Sequence, residues 1–161
     1  MSEKKFNRRV LREKCLQALY ANEMNKDNLS HIFDMVLADI ENDKGKDFVK
    51  NLVNKVIQSH EELDNQIKQR VDNWEMNRIA LIDKILLRIG IAELMYFPDI
   101  PPKVSINEVI EIAKDYSTTK SGKFINGILD AVLSDLRKEG KLNKTGRGLI
   151  EETLPKKTTQ K

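Results

Sequence analysis

The sequence predicts an all-α protein of about seven helices, gathered around one buried central helix. Three observations carry that expectation. Apolar residues recur at helical spacing through most of the chain, while strand-like alternation is hard to find. Glycine and proline are few, seven and four, and gather where helices should break: Pro98, Pro101 and Pro102, then Gly140, Gly146 and Gly148. Finally, the stretch from Arg78 to Phe97 is apolar in nearly every direction around a helix, as a buried helix is. The 161 residues suit one domain long enough to bury a core.

The first helix is expected from about Lys5 to Met24, with Leu11, Cys15, Ala18, Leu19 and Asn22 forming most of an inward stripe. A second spans about Asn28 to Asn42, with Ile32, Met35, Val36 and Ile40 apolar. A third starts near Asp47 and shows Phe48, Leu52, Val53, Val56 and Ile57. Residues His60 to Val71 either continue it or form a separate short helix. Arg78 to Phe97 is the central helix; Asp83, Lys84, Arg88 and Glu93 interrupt it and argue against a membrane span. Pro98, Pro101 and Pro102 end it. Ser105-Ile106-Asn107-Glu108 has the spacing of a capping box, and Val104 to Tyr116 follows as a helix; an earlier start would make Pro102 its first-turn proline. Residues 117–122 read as a polar connection and Lys123 to Glu139 as the last helix, stopped by Gly140. The domain is therefore placed at 1–140. Residues 141–161, polar, basic and aperiodic, are expected to be a disordered tail.

Composition excludes several classes. No apolar run approaches the roughly 20 residues of a membrane span, and the charged start, MSEKKFNRRV, leads into no signal-peptide core. A soluble, cytoplasmic protein is expected. The single cysteine, Cys15, makes no internal disulfide or zinc cluster, and among Leu11, Leu16 and Leu19 it reads as a small buried hydrophobe. Phosphate-loop, dinucleotide-binding and zinc-protease patterns are absent, so no enzyme, metal or cofactor is expected. Net charge is only +3, but it is unevenly spread: residues 1–14 carry +4, residues 137–161 carry +5, and the body between them −6. Basic ends on an acidic body suit a polyanion and a basic protein partner, or simply a solvated surface.

Two basic elements stand out. Lys5, Arg8, Arg9 and Arg12 recur at i, i+3, i+4 and i+7, and so share one face of the first helix beside its apolar stripe. Arginine forks there would suit phosphate oxygens, although a solvated helix would look the same. Farther on, Lys120 and Lys123 flank Gly122 at a helix start, where free amides favour anions. Phe124 beside them either stacks on an unpaired base or packs into the core.

Three blocks then resemble the NusB family in order. Arg8, Arg9, Arg12 and Glu13 running into Gln17-Ala18-Leu19-Tyr20 look like its arginine-rich opening. Asn73-Trp74, Arg78-Ile79, Asp83 to Ile89 and Glu93-Leu94 look like its central helix. Ile106-Asn107-Glu108 to Lys114, then Lys123-Phe124-Ile125-Asn126-Gly127 to Asp130, resemble its most distinctive signature. Together the blocks cover about residues 6–136.

The resemblance implies two small helical bundles around the central helix and a non-catalytic role in transcription antitermination. The implied partners are boxA-type single-stranded RNA, NusE (the small-subunit ribosomal protein in its transcription role) and an RNA polymerase complex that resists termination on ribosomal RNA operons. It implies RNA contact by Arg8, Arg9, Arg12, Tyr20, Lys123 and Phe124, with Lys5 and Lys120 added from the basic pattern, and NusE contact by Asp83. Monomer and homodimer are both compatible with it. Two departures bear on affinity: Val10 and Leu11 thin the basic opening, and Lys120 stands where relatives often carry an acid. The alternatives are a NusB-like domain of an rRNA cytosine methyltransferase and a helical adaptor that binds only protein.

Overall fold

The computed structural model describes residues 7–25 and 28–150. Lys5 and the chain from 151 onward lie outside the described residues. Within them stand eight α-helices: α1 Arg8–Asn25, α2 Leu29–Val36, α3 Asp43–Gln58, α4 His60–Lys68, α5 Asn73–Arg78, α6 Leu81–Tyr96, α7 Pro102–Tyr116 and α8 Thr119–Lys138. A 3₁₀ turn, Gly146–Leu149, follows. The all-α expectation holds, with one helix more than the periodicity suggested.

Capping explains most boundaries. The Asn42 side chain accepts the Gly45 amide at 3.0 Å and starts α3; that of Thr118 accepts the Ser121 amide at 3.0 Å and starts α8. Ser59 alone separates α3 from α4, which settles the open question there in favour of two helices. The central helix, expected from Arg78, starts at Leu81, and a short helix that the periodicity did not reveal, α5, precedes it. Ile79 and Ala80 adopt extended backbone between α5 and α6. Neither is a glycine or proline, so nothing local announced the break. The proposed capping box at Ser105 and Glu108 does not form, because Pro102 already occupies the first turn of α7. Ser105 lies buried inside the helix instead. The capping box that does form joins Asp72 and Glu75, whose Oε1 accepts the Asp72 amide at 3.0 Å.

Helix α6 is the axis. From Ile85 to Leu94 every residue is buried. It packs on α1 and α3 on one flank, where α2 leans on α1, and on α7 and α8 on the other, with α4 also against it. Its two deepest charges are both paired across helices. Arg88 donates to Asp64 of α4 at 2.8 and 3.1 Å, and Glu93 receives Arg12 of α1. No helix among the described residues is long and apolar enough to cross a membrane.

The structure corrects the placement of the domain end at 140. Gly140 ends α8 with φ +70, a left-handed conformation that suits glycine, and the Lys141 amide reaches back to the Leu136 carbonyl at 2.8 Å. Residues 141–150 then fold back over the end of α6. The buried Lys144 ammonium donates to the Glu93 and Phe97 carbonyls at 3.0 and 2.9 Å, capping that helix end. The Thr145 amide donates to the Pro98 carbonyl at 2.9 Å. Gly148 presses so closely on Pro98 and Asp99 that a Cβ there would overlap the Pro98 carbonyl oxygen.

Candidate nucleic-acid interface

The first turns of α1 divide the expected basic face in two. Arg8 is exposed, and its guanidinium lies 4.1 Å from the centre of the Phe48 ring, a cation–π contact that holds the fork in a fixed pose. Arg9 makes a bidentate pair with Glu108 of α7, Nε to Oε1 at 2.7 Å and Nη2 to Oε2 at 3.0 Å. That hydrogen bonding holds the Glu108 carboxyl below the usual carboxylate range. With Asn7, Arg12 and Val104 these residues line a hollow of about 400 Å³.

Arg12 does not belong to the exposed face, contrary to expectation. It is 1% exposed and faces inward beside Leu11, Cys15 and Leu16. Its Nε and Nη2 donate to the Glu93 carboxylate at 2.6 and 2.8 Å, and Ser105 Oγ donates to the same carboxylate at 2.5 Å. Desolvation opposes the Arg12 charge, but Glu93 outweighs it and the pKa stays raised. A sequence signal for this pair existed: Glu93 stands within a helix that is apolar nearly all round and needs a buried cation. Cys15 is buried as expected, and burial pushes its thiol far up, so it carries no thiolate chemistry.

The second basic element opens α8. The helix begins at Thr119, four residues earlier than expected, which puts Lys120 and Ser121 in its first turn. Lys120, Ser121 and Phe124 line a hollow of about 410 Å³ with Trp74, Glu75, Arg78, Ile79, Ala80 and Asp83. Phe124 is half-buried: it packs against the core and also walls this hollow, so each of its two expected roles has a structural basis. Lys123 is exposed on the next face but is not part of the lining. Trp74 is 59% exposed, with the Arg78 guanidinium 5.4 Å from its ring centre. Neither was singled out as a site residue from sequence, although a lone tryptophan with arginine at i+4 shares one helix face and was a readable signal.

Asp83 is 7% exposed and sits on the wall of this hollow rather than on an open face. One carboxylate oxygen accepts Ser121 Oγ at 2.6 Å; the other, Oδ1, is buried without a hydrogen-bond partner among the described residues.

Helices α1 and α7 run alongside one another and connect the two hollows. Arg9 pairs with Glu108, and Gln17 Nε2 lies 3.3 Å from the Tyr116 hydroxyl. Both pairs are separated by 99 residues, so the helices run parallel and in step. Tyr20 is exposed, three residues beyond Gln17 on α1. It lines neither of the two hollows.

Comparison with known proteins gives this arrangement a family. The family model described as the NusB family matches residues 9–134. The chain is 50% identical over 157 residues to the transcription antitermination protein NusB of Chloroherpeton thalassium, covering 94% of this chain and 72% of that protein. The solved structure of T. maritima NusB superposes with a TM-score of 0.76 at 33% identity, covering 82% of this chain and 94% of that one. A chain from a crystal structure of antitermination factors NusB and NusE in complex with dsRNA superposes with a TM-score of 0.73 at 26% identity, covering 80% and 96%. By the family match and by these relatives, the chain belongs to the NusB family.

Proposed function

We propose that the chain acts in transcription antitermination by binding boxA-type single-stranded RNA of nascent ribosomal RNA transcripts with NusE, in an RNA polymerase complex that resists termination. The observation that carries this reading is the placement of two cation-bearing hollows, one beside the Arg8–Phe48 contact and one walled by Phe124, toward the two ends of the paired helices α1 and α7. Arg8 and Arg9 hold phosphates at one end, and Lys120 and Lys123 hold them at the other. Phe124 offers a face to an unstacked base, and Tyr20 lies between the two ends. Arg12 supports the track from beneath and does not touch RNA. Asp83 is the proposed NusE contact, at the wall of the hollow shared with Trp74 and Phe124. The relatives above are antitermination factors, which favours this reading over a methyltransferase domain or a protein-only adaptor. The proposed setting is cytoplasmic, as a monomer or homodimer.

Fluorescence anisotropy with a boxA-type RNA and a scrambled control, with and without NusE across a salt series, tests it. The expected result is a boxA preference strengthened by NusE, with log affinity falling by about 0.7 per phosphate neutralised as log salt rises. Equal weak binding of both RNAs, indifferent to NusE, would leave only a generic polyanion patch.

One variant should tighten binding. Glu108 occupies two of the five N–H donors of Arg9, the Nε–Nη2 edge that could otherwise hold an RNA phosphate bidentately. Glu108→Gln releases them and removes a negative charge, so boxA-type RNA should bind about three- to tenfold more tightly. The pair is partly exposed, so stability should fall by no more than about 1 kcal/mol. Unchanged affinity would remove Arg9 from the RNA track.

A further inference from the structure

Residues 141–150 lie on a contact path that leads to the arginine face. Lys144 fixes the Glu93 and Phe97 carbonyls, and Thr145 fixes that of Pro98. Gly148 lies against the backbone of Pro98 and Asp99. The segment therefore holds the turn from Phe97 to Ile100 at consecutive residues. The Phe97 ring in turn meets Phe48 edge to face, with centroids 6.4 Å apart and an interplanar angle of 70°. Phe48 is the ring on which the Arg8 guanidinium rests at 4.1 Å. Phe48, Phe97, Asp99 and Ile100 also line one hollow with Arg8.

We infer that residues 141–150 are a strap that sets the pose of the RNA-binding arginine face, with Lys144 as a positioning residue that acts on Arg8 through Phe97 and Phe48. Lys144 does not touch RNA in this role. It is buried, and both of its hydrogen bonds are made to the end of α6. What the strap supplies is preorganisation: an arginine already held in its binding pose loses less conformational freedom when a phosphate arrives. The inference rests on the RNA-binding reading above and adds a determinant outside the residues matched by the family model, which end at 134.

The test uses the full chain and a boxA-type RNA probe. Two variants release the strap by different means: Lys144→Met removes the pin, and Gly148→Ala drives a methyl into the Pro98 carbonyl without changing charge. Each is expected to weaken RNA binding about three- to tenfold and to lower the salt slope by about 0.7, the contribution of one phosphate contact. The Arg8 Hε proton should lose its upfield ring-current displacement in the NMR spectrum, a signal that a general loss of stability in a still-folded chain does not move. In the Arg8→Ala background, Lys144→Met should weaken binding no further, because its effect passes through Arg8. Additive losses would assign Lys144 a contact of its own and overturn the positioning role. Unchanged affinity in both strap variants, with Arg8→Ala still weakening binding, would overturn the strap and leave the RNA reading standing. If Arg8→Ala itself has no effect, the RNA track and the strap's role on it both fall.

Discussion

An Arg12→Ala variant is expected to lose about 3–5 kcal/mol of stability, the range seen when one member of a buried ion pair is removed. The reason lies in what remains. Glu93 is 0% exposed, and Arg12 supplies two of its hydrogen bonds. Without them the carboxylate keeps Ser105 Oγ and little else, far from water. For a chain of this size the loss corresponds to a fall of about 6–20 °C in the thermal midpoint. Urea denaturation checks the value, and a loss below about 1 kcal/mol would show that the pair contributes little. A companion variant separates charge from volume. Arg12→Met with Glu93→Met removes both charges and keeps the space filled, so it should recover most of the stability.

This changes how the arginine face must be probed. A variant replacing Arg8, Arg9 and Arg12 together would lose RNA binding through unfolding as well as through lost contacts. Arg8 and Arg9 are the separable pair, because neither is buried, Arg8 resting on the Phe48 ring and Arg9 pairing with Glu108.

The misplacement of Arg12 shows where sequence periodicity stops informing. Successive helical positions four apart differ by about 40° around the axis, so Arg8 and Arg12 read as one face. The α6 and α7 surfaces that turn the second of them inward are distant in sequence. The central helix was legible because its apolar residues surround the axis, a local property. Its start at Leu81 was not, because neither Ile79 nor Ala80, which precede it, is a breaker. Residues 141–150 were misread for a different reason. Leu142 supplies almost the only apolar surface before the 3₁₀ turn, and the segment is held by backbone bonds, one buried ammonium and one close glycine contact. None of these has a hydrophobic period. Lys120 and Phe124 were legible as a basic-aromatic element. Trp74 and Arg78, which complete the hollow, come from a short helix, α5, that the periodicity did not reveal.

Phe124→Leu is expected to cost the largest share of RNA affinity of any single exposed-face substitution. Stacking of a base on an aromatic ring contributes about 1–3 kcal/mol, or roughly 5- to 150-fold in affinity. Leucine keeps the apolar body that packs toward the core but removes the planar face on the hollow. Stability should therefore change by less than about 1.5 kcal/mol. Because the side chain is uncharged, the slope of log affinity against log salt should stay as in the parent, whereas Arg8→Ala or Lys120→Ala should reduce it by about 0.7. The slope thus divides the two kinds of contact on one track. A Phe124→Leu protein that binds boxA-type RNA as tightly as the parent would confine Phe124 to packing. Equal affinity but a lower slope in Lys120→Ala would instead leave Lys120 touching phosphate, with Phe124 only shaping the wall beside it.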